Sequence, residues 1–190
     1  MELDSSLQLQ AAIRRCNKCY LRELGGKPVP GYGPLGASLF IVGEAPNERA
    51  EAQNIPFVGW TGEVLSRWLQ YLGLDRDKVY MTNAVKCSLR DNKGRLRTDG
   101  LGPRGKELQE CRGWLAEELN LIKPKVVLLI GWAATQSVLR MPIYKAREYK
   151  TGYEAKGRRY FAIGHPGRRG VPLDEDSRVL LEQLRSFLGI

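Results

Sequence analysis

The sequence has no hydrophobic run that approaches the roughly 20 residues with which a helix spans a bilayer. Its first four residues, MELD, lack the basic start of a secretory signal, and no apolar core follows them. No internal repeat or low-complexity segment occurs in the 190 residues, a length that suits one domain. We therefore expect a single domain over residues 1–190 that does not enter a membrane and that works in the cytoplasm, associated with the nucleoid.

Acidic residues are scarce relative to basic ones, 21 against 30, and the formal net charge is +9. The excess is clustered, because the stretch from Lys86 to Lys106 holds seven basic residues and only two acidic ones. Clustered basic charge favours a polyanionic partner, since each Lys or Arg near a phosphate gains affinity through counterion release. A nucleic acid, either duplex or single-stranded, is such a partner. The predicted contacts to it are Arg90, Lys93, Arg95 and Arg97 in a basic insertion at about 88–106, and Arg168 and Arg169 near the C-terminus.

Cysteine is also scarce, and the chain has four of them, at Cys16, Cys19, Cys87 and Cys111. Disulfides are a poor interpretation for a cytoplasmic protein. Buried free thiols remain open, as does a structural zinc site, although zinc folds usually draw their ligands from two close pairs. An iron–sulfur cluster would equally suit four thiolates of which two are closely spaced. The spacing predicts a metal centre and leaves its identity open.

Apolar strands alternate with helices along the chain, which predicts a parallel sheet covered on both faces by helices. The segment 25–37 is dense in Gly and Pro and is predicted to be a loop. The predicted strands cover 38–43, 78–85, 124–131 and 159–164, the last as part of a hairpin or after a turn within 149–164. The predicted helices cover 5–15, a segment capped by Thr61, about 105–122, 132–139 and 174–188.

Polar residues follow three of the predicted strands. Glu44 comes directly after Gly43, Asn83 ends the second strand, and His165, the only histidine, follows the last one. Open α/β sheets bind their ligands beyond the carboxyl ends of the strands. We therefore expect a carboxylate, a carboxamide and an imidazole to converge on one cleft.

Four motifs resemble those of the iron–sulfur uracil-DNA glycosylases, known as family four. They are GEAP at 43–46, PFVG at 56–59, TNAVKC at 82–87 and HP at 165–166, and they occur in the order of that family. The resemblance covers nearly the whole chain, from Cys16 to the final helix. It implies a three-layer α/β/α fold around a central, mostly parallel four-stranded sheet. It also implies a structural 4Fe-4S cluster bound by all four cysteines.

The reaction that the resemblance implies is that of a monofunctional DNA glycosylase in base excision repair, which flips uracil out of DNA, hydrolyses its N-glycosidic bond and leaves an abasic site. Glu44 would stabilise positive charge on the sugar and orient water, and His165 would donate to the departing base. Phe57 would stack on the flipped base, and Asn83 would read its edge. The predicted base-binding residues are Gly43, Ala45, Asn47, Phe57 and Asn83.

Three departures from the family pattern bear on the substrate. Asn47 replaces a usual glycine, so that its amide could enter the pocket, and the basic insertion is long but has no histidine for the covalent DNA trapping of a related branch. HPGRRG replaces the apolar wedge that usually follows the histidine, and Arg168 or Arg169 could fill the vacated stack instead. The alternatives are a glycosylase for another modified base, such as a hypermodified viral pyrimidine in phage defence, an inactive DNA-binding module, and a zinc-stabilised hydrolase of free nucleosides. We expect a monomer.

Overall fold

The computed structural model of the chain describes residues 2–97, 100–165 and 174–190. The predicted DNA contacts Arg168 and Arg169 lie outside these residues. The strands are β1 (Leu39–Gly43), β2 (Tyr80–Asn83), β3 (Val126–Ile130), β4 (Tyr153–Ala155) and β5 (Arg158–Ile163). The helices are α1 (Glu2–Arg14), α2 (Tyr20–Glu23), α3 (Glu48–Gln53), α4 (Trp60–Tyr71), α5 (Gly105–Ile122), α6 (Gly131–Leu139), α7 (Ile143–Glu148) and α8 (Glu175–Leu188), and a 3-10 turn covers Arg76–Lys78.

The strands form one sheet in the order β2-β1-β3-β5-β4. Strands β2, β1, β3 and β5 run parallel, and β4 runs antiparallel to β5 at the edge of the sheet. The parallel register, in which Gly43 pairs with Asn83, brings the ends of the strands that carry the predicted site residues to the same side of the sheet. The three-layer α/β/α prediction is confirmed, but the predicted count of four strands is wrong, because β4 adds a fifth.

The fifth strand exists because a tight turn reverses the chain before β5. Lys156 and Gly157 connect β4 to β5, and both have left-handed backbones, with φ of 50° and 70°. A two-residue turn with this geometry matches the right-handed twist of antiparallel strands. The segment 149–164 therefore forms a hairpin, one of the two structures that its sequence allowed.

The strands are buried on both faces, as their uninterrupted apolar sequences predict. Phe40 and Val42 of β1 face one core layer, which α5, α6 and α7 complete. Leu39 and Ile41 face the opposite layer, which α4 and α8 complete. Alternate residues of one strand thus enter two separate cores, and helices cover both faces of the sheet.

Short elements were not predicted from the sequence. Helices α2, α3 and α7 have four to six residues, too few to show a helical repeat. The loop 25–37 is irregular as predicted, but the backbone of Tyr32 pairs with that of Met81 through bonds of 2.9 and 2.8 Å. This bridge places the loop along the outer edge of β2. Among the described residues, no helix is both long enough and apolar enough to cross a bilayer.

Candidate active site

A pocket lies at the carboxyl ends of the parallel strands. Gly43 and Glu44 contribute from β1, Asn83 from β2, Ile130 from β3, and His165 from the segment after β5. The cavity itself has a volume of about 30 Å³, and the wider cleft, counted out to its open mouth, encloses about 420 Å³. The structure therefore brings together the carboxylate, the amide and the imidazole that the sequence places far apart.

The floor of the pocket requires a glycine at position 43. A Cβ atom there would lie 2.5 Å from Oδ1 of Asn83 and 2.7 Å from Cζ of Phe57. Neither distance is compatible with van der Waals contact, so any side chain at this position would displace the ring or the amide. The absence of a side chain lets Phe57 and Asn83 close directly over the end of β1.

The Phe57 ring is held by an unusual turn. Its residue has a left-handed backbone with φ of 55°, which is uncommon outside glycine. The Arg76 guanidinium donates to the carbonyls of Phe57 at 3.1 Å, Pro56 at 3.4 Å and Gly62 at 3.3 Å. A Cβ at Gly62 would lie only 1.9 Å from the Phe57 carbonyl oxygen. Arg76 is a positioning residue that sequence analysis missed, because it lies 19 residues from Phe57 and no local motif marks it.

Asn83 lines the pocket and has an unsatisfied donor. Its Nδ2 is buried and has no hydrogen-bond partner among the residues that the structure describes. Because buried polar groups are nearly always hydrogen-bonded, this amide suits a bound ligand. The Asn83 carbonyl accepts from Nζ of Lys86 at 2.9 Å, and the same Nζ bonds Thr82 and Glu118, each at 2.6 Å. Lys86, which was counted in the basic cluster, is therefore a buried residue that fixes the backbone of Asn83.

The Glu44 side chain is half-buried, and the Glu44 backbone is hydrogen-bonded to the segment that follows β2. Its carbonyl accepts from the Val85 N–H at 2.9 Å, which extends the pairing of β1 and β2 beyond the strands. Burial raises the pKa of the Glu44 carboxyl, and the positive charge of Arg97 opposes this increase. Gly102 of the basic insertion lies against the carboxylate, since a Cβ there would be 2.9 Å from Oε1. The insertion thus forms part of the surroundings of this carboxylate.

His165 lies beside the start of α6. A Cβ at Gly131, whose φ is 86°, would lie 3.3 Å from the Cβ of His165. The His165 side chain remains accessible to solvent, but burial of part of it lowers its pKa. The neutral imidazole is therefore favoured at neutral pH. Just before it, the Gly164 N–H donates to the Ser177 hydroxyl at 3.1 Å, which ties this segment to α8.

Asn47 lines the pocket, yet its amide is bonded to the backbone. Its Oδ1 accepts from the Ala50 N–H at 2.8 Å and caps α3, while its Nδ2 donates to the Val58 carbonyl at 2.7 Å. Only one N–H of the amide is left for a ligand. Asn47 therefore joins α3 to the turn that carries Phe57, and Ala45 contributes to the adjoining wall.

Two of the predicted DNA contacts in the insertion form internal ion pairs. Arg90 donates to Glu51 at 2.9 Å, and the Arg90 side chain is 16% exposed. Arg97 pairs with Glu107 at 3.2 Å, and their side chains are 4% and 0% exposed. Glu51 lies far from the insertion in the sequence and Glu107 directly follows it. Because both carboxylates pair with its arginines, the insertion presents less positive charge than its sequence suggests.

The other two predicted contacts face solvent. Lys93 is exposed, and the side chain of Arg95 is 71% exposed. Arg95 lies 2.8 Å from the carboxylate of Asp91, a surface ion pair of a kind that contributes little to stability. A phosphate could displace such a contact, so Lys93 and Arg95 remain the candidates for DNA binding in this segment.

The four cysteines gather beside α5, and none is in a disulfide. Cys87 and Cys111 are buried in one core layer, and Cys19 packs against that layer. Burial raises the pKa of Cys87, and the neighbouring thiols of Cys111, Cys19 and Cys16 raise it further. Burial also raises the pKa of Cys111, to about 11. These mutual effects place the four sulfurs in one neighbourhood.

Two N–H groups point at cysteine sulfurs. The Trp114 indole donates to Sγ of Cys16 at 3.1 Å, and the Lys86 backbone N–H donates to Sγ of Cys111 at 3.4 Å. Such donors suit thiolate ligands. In the part of the chain that the structure describes, no three His, Cys, Asp or Glu residues form a group that could hold a single metal ion. An all-thiol set of donors suits soft metals.

Comparison with known proteins agrees with this architecture. A sequence model of the family described as "Uracil DNA glycosylase superfamily" matches residues 30–184, a range that contains every residue of the pocket. The chain belongs to the uracil DNA glycosylase superfamily. Two of the four cysteines, Cys16 and Cys19, precede the matched residues.

Several relatives in the uracil DNA glycosylase superfamily are about one-third identical to this chain. A Type-4 uracil-DNA glycosylase of Sulfurisphaera tokodaii is 32% identical over 72% of this chain and 59% of its own length, which is less than two thirds. A Type-4 enzyme of Archaeoglobus fulgidus is 31% identical over 81% of this chain and 77% of its own length. A Type-5 uracil-DNA glycosylase of Pyrobaculum aerophilum is 32% identical over 86% of this chain and 74% of its own length.

Proposed function

We propose that this superfamily member is a monofunctional DNA glycosylase of base excision repair, which excises uracil and leaves an abasic site. The observation that carries the proposal is the buried, unpaired Nδ2 of Asn83 in the pocket that also contains Glu44 and His165. The names of the Type-4 and Type-5 relatives support uracil as the base.

Recognition of uracil follows from the donor and acceptor pattern of its edge. Nδ2 of Asn83 would donate to O4 of uracil, and Oδ1 would accept from N3–H. Cytosine presents the opposite pattern, with a donor at N4 and an acceptor at N3, so a fixed amide discriminates against it. The fixed backbone of Asn83 supports this role, and the ring of Phe57 offers a stacking surface for the base.

Bond cleavage develops positive charge on the sugar and negative charge on the departing base. The ionised Glu44 would stabilise the first charge and orient the attacking water. The neutral imidazole of His165 would donate a hydrogen bond to the base as the second charge grows. No lysine lines the pocket within the described residues, which supports simple hydrolysis without strand cleavage through a Schiff base.

The four cysteines are proposed to hold a 4Fe-4S cluster. Four free thiols in one neighbourhood, with N–H donors to two of the sulfurs, suit an all-thiolate cluster. Such a cluster would act structurally, by joining the segment between α1 and α2 to α5 and to the segment after β2.

The test is a panel of oligonucleotides, each with one altered base, from which the free base is measured by mass spectrometry. We expect release of uracil, and a loss of about a hundredfold or more in Asn83→Asp, which keeps the size of the side chain but replaces the N–H donor. Asn120→Asp, at an exposed position on α5, is the matched control and should retain full activity.

The same panel separates the alternatives. Hypoxanthine, xanthine and hypermodified cytosines test for another target base, and release of one of these without uracil would contradict the proposal. DNA binding without release of any base would indicate an inactive binding module. The argument that the Asn47 amide enters the pocket and changes which base it accepts is weakened, because this amide is bonded to Ala50 and Val58.

A further inference from the structure

A second groove lies between α5, the end of α6 and the β4–β5 hairpin. Its volume is about 440 Å³, which is within the range of small-ligand sites, and it shares no residue with the catalytic pocket. Helix α6 separates the two, because Gly131 at its start lies beside His165, whereas Arg140 directly after its end lines the groove. The rise of a helix places these two ends about 13 Å apart.

The groove carries positive charge that the fold does not neutralise. Among the described residues, no carboxylate lines it, and its four cations are Arg112, Arg140, Lys156 and Arg158. No ion pair within the described part of the chain includes any of these four. Two other grooves of similar volume each contain a carboxylate, Asp77 in one and Glu117 in the other. Unpaired cations around a concave surface favour an anionic ligand.

The hairpin contributes aromatic rings and positive charge to the groove from one of its faces. Tyr153 lies opposite Tyr160, and Arg158 shares their face because it precedes Tyr160 by two residues. Glu154 and Arg159 lie on the other face, where they form an ion pair with each other. Tyrosine rings offer a surface on which a heterocycle stacks. The register of the hairpin therefore places stacking surfaces and an arginine together and keeps the carboxylate away from them.

Two buried polar atoms at the groove have no hydrogen-bond partner among the described residues. Ser137 lines the groove and is 3% exposed, and its Oγ is one of these atoms. The other is Nε of Arg112. Arg158 donates to the Leu119 carbonyl at 3.2 Å, which holds its guanidinium at the groove. Because buried polar groups are nearly always hydrogen-bonded, the free hydroxyl and the free N–H suit a bound ligand.

We propose that this groove binds a nucleoside phosphate, either a free nucleotide or the phosphorylated end of a DNA strand. The base stacks on a tyrosine ring of the hairpin, and the phosphate accepts from the guanidinium groups of Arg112 and Arg158. Arg140 and Lys156, which are exposed at the rim, add attraction for the anion. The inference goes beyond base excision, because the groove contains none of the residues proposed for that reaction.

The test is isothermal titration calorimetry of the full chain with deoxyadenosine monophosphate, and with inorganic phosphate and deoxyadenosine as its two parts. Wild type should bind the nucleotide at least about tenfold more tightly than either part. Arg140→Gln/Lys156→Gln should weaken nucleotide binding about tenfold or more, and Ser137→Ala about threefold. Lys78→Gln/Lys123→Gln is the matched control, because it removes the same charge from exposed positions outside the groove, and it should keep the affinity of wild type.

Two further measurements locate the site and identify the source of the ligand. Nucleotide binding should persist in Asn83→Asp, and uracil release should be unchanged in the groove variants, so that failure of the glycosylase proposal leaves this one standing. A short single strand that binds more tightly with a 5′-phosphate than without it, and loses this difference in Arg140→Gln/Lys156→Gln, would assign the groove to strand ends. Equal binding of the two strands would assign it to the free nucleotide.

Four results would overturn the proposal. They are no binding of the nucleotide by wild type, equal affinity for inorganic phosphate alone, equal weakening in Arg140→Gln/Lys156→Gln and in Lys78→Gln/Lys123→Gln, and loss of nucleotide binding in Asn83→Asp. The third result would reduce the effect to the net charge of the chain, and the fourth would move the nucleotide to the catalytic pocket.

Discussion

Lys86 and Glu118 form an ion pair of 2.6 Å, and their side chains are 1% and 0% exposed. The pair lies behind the pocket, where Lys86 also donates to the carbonyl of Asn83. Glu118 accepts in addition from the Gly31 N–H at 2.7 Å and from the Thr82 hydroxyl at 2.8 Å. A buried network of this kind fixes one backbone geometry at the end of β2, and that geometry aims the amide of Asn83.

Replacing Lys86 with Met should destabilise the protein by about 3–5 kcal/mol, because the buried carboxylate of Glu118 loses its countercharge. Urea unfolding measures this free energy. Lys125→Met, at an exposed lysine before β3, is the control and should change it by less than about 0.5 kcal/mol. The double variant Lys86→Met/Glu118→Leu should recover part of the loss. A loss below about 1 kcal/mol in Lys86→Met would show that the pair is not buried in solution.

The sequence predicts the strands and the pocket because both follow from local signals. Uninterrupted apolar runs mark the strands, and the rule that ligands bind at the carboxyl ends of parallel strands selects Glu44, Asn83 and His165. Strand β4 could not be predicted with the same clarity, because its three residues alternate between partly buried and exposed. Such a short edge strand carries no apolar run.

The carboxylates that pair with the basic residues could not be predicted from the sequence, for a different reason. Arg90 meets Glu51 across 39 residues of sequence, and Lys86 meets Glu118 across 32. Nothing near Arg90 or Lys86 in the sequence distinguishes a lysine or arginine that binds a carboxylate from one that binds phosphate. The insertion is therefore predicted as a DNA-binding loop, whereas the structure shows that part of its charge is used to hold the loop against the fold.

Base release should depend on pH through Glu44. Burial raises the pKa of this carboxyl, and Arg97 opposes the increase. The acid limb of the pH–rate profile, where activity falls at low pH, should therefore lie at a higher pH than the pKa of an ordinary carboxyl group. Activity should fall as the pH drops through this pKa, because the reaction needs the ionised form. Removing the charge of Arg97 should move the limb to higher pH, and the measurement is the profile of kcat/KM against pH.

The variant for this measurement is Arg97→Gln/Glu107→Gln, which leaves no buried charge unpaired. Arg95→Gln, at an exposed arginine, is the matched control and should not move the limb. Glu44→Gln should retain DNA binding and lose most of the base release. Its remaining activity should not fall with the pKa of residue 44, because the carboxyl is gone. An acid limb that stays in place in the double variant would contradict the assignment to Glu44.

The identity of the metal centre can be decided on the purified protein. We expect a brown protein with about four iron and four sulfide ions per chain. Cys111→Ser should lose both the colour and most of the iron, and it should unfold at a lower temperature, because the bridge between α5 and the segment from Cys16 to Cys19 is lost. Ser137→Ala, at a buried serine of α6 outside the cysteine neighbourhood, is the control and should keep its iron. A colourless protein with one zinc ion per chain would contradict the cluster, since zinc and four thiolates form a single-ion site.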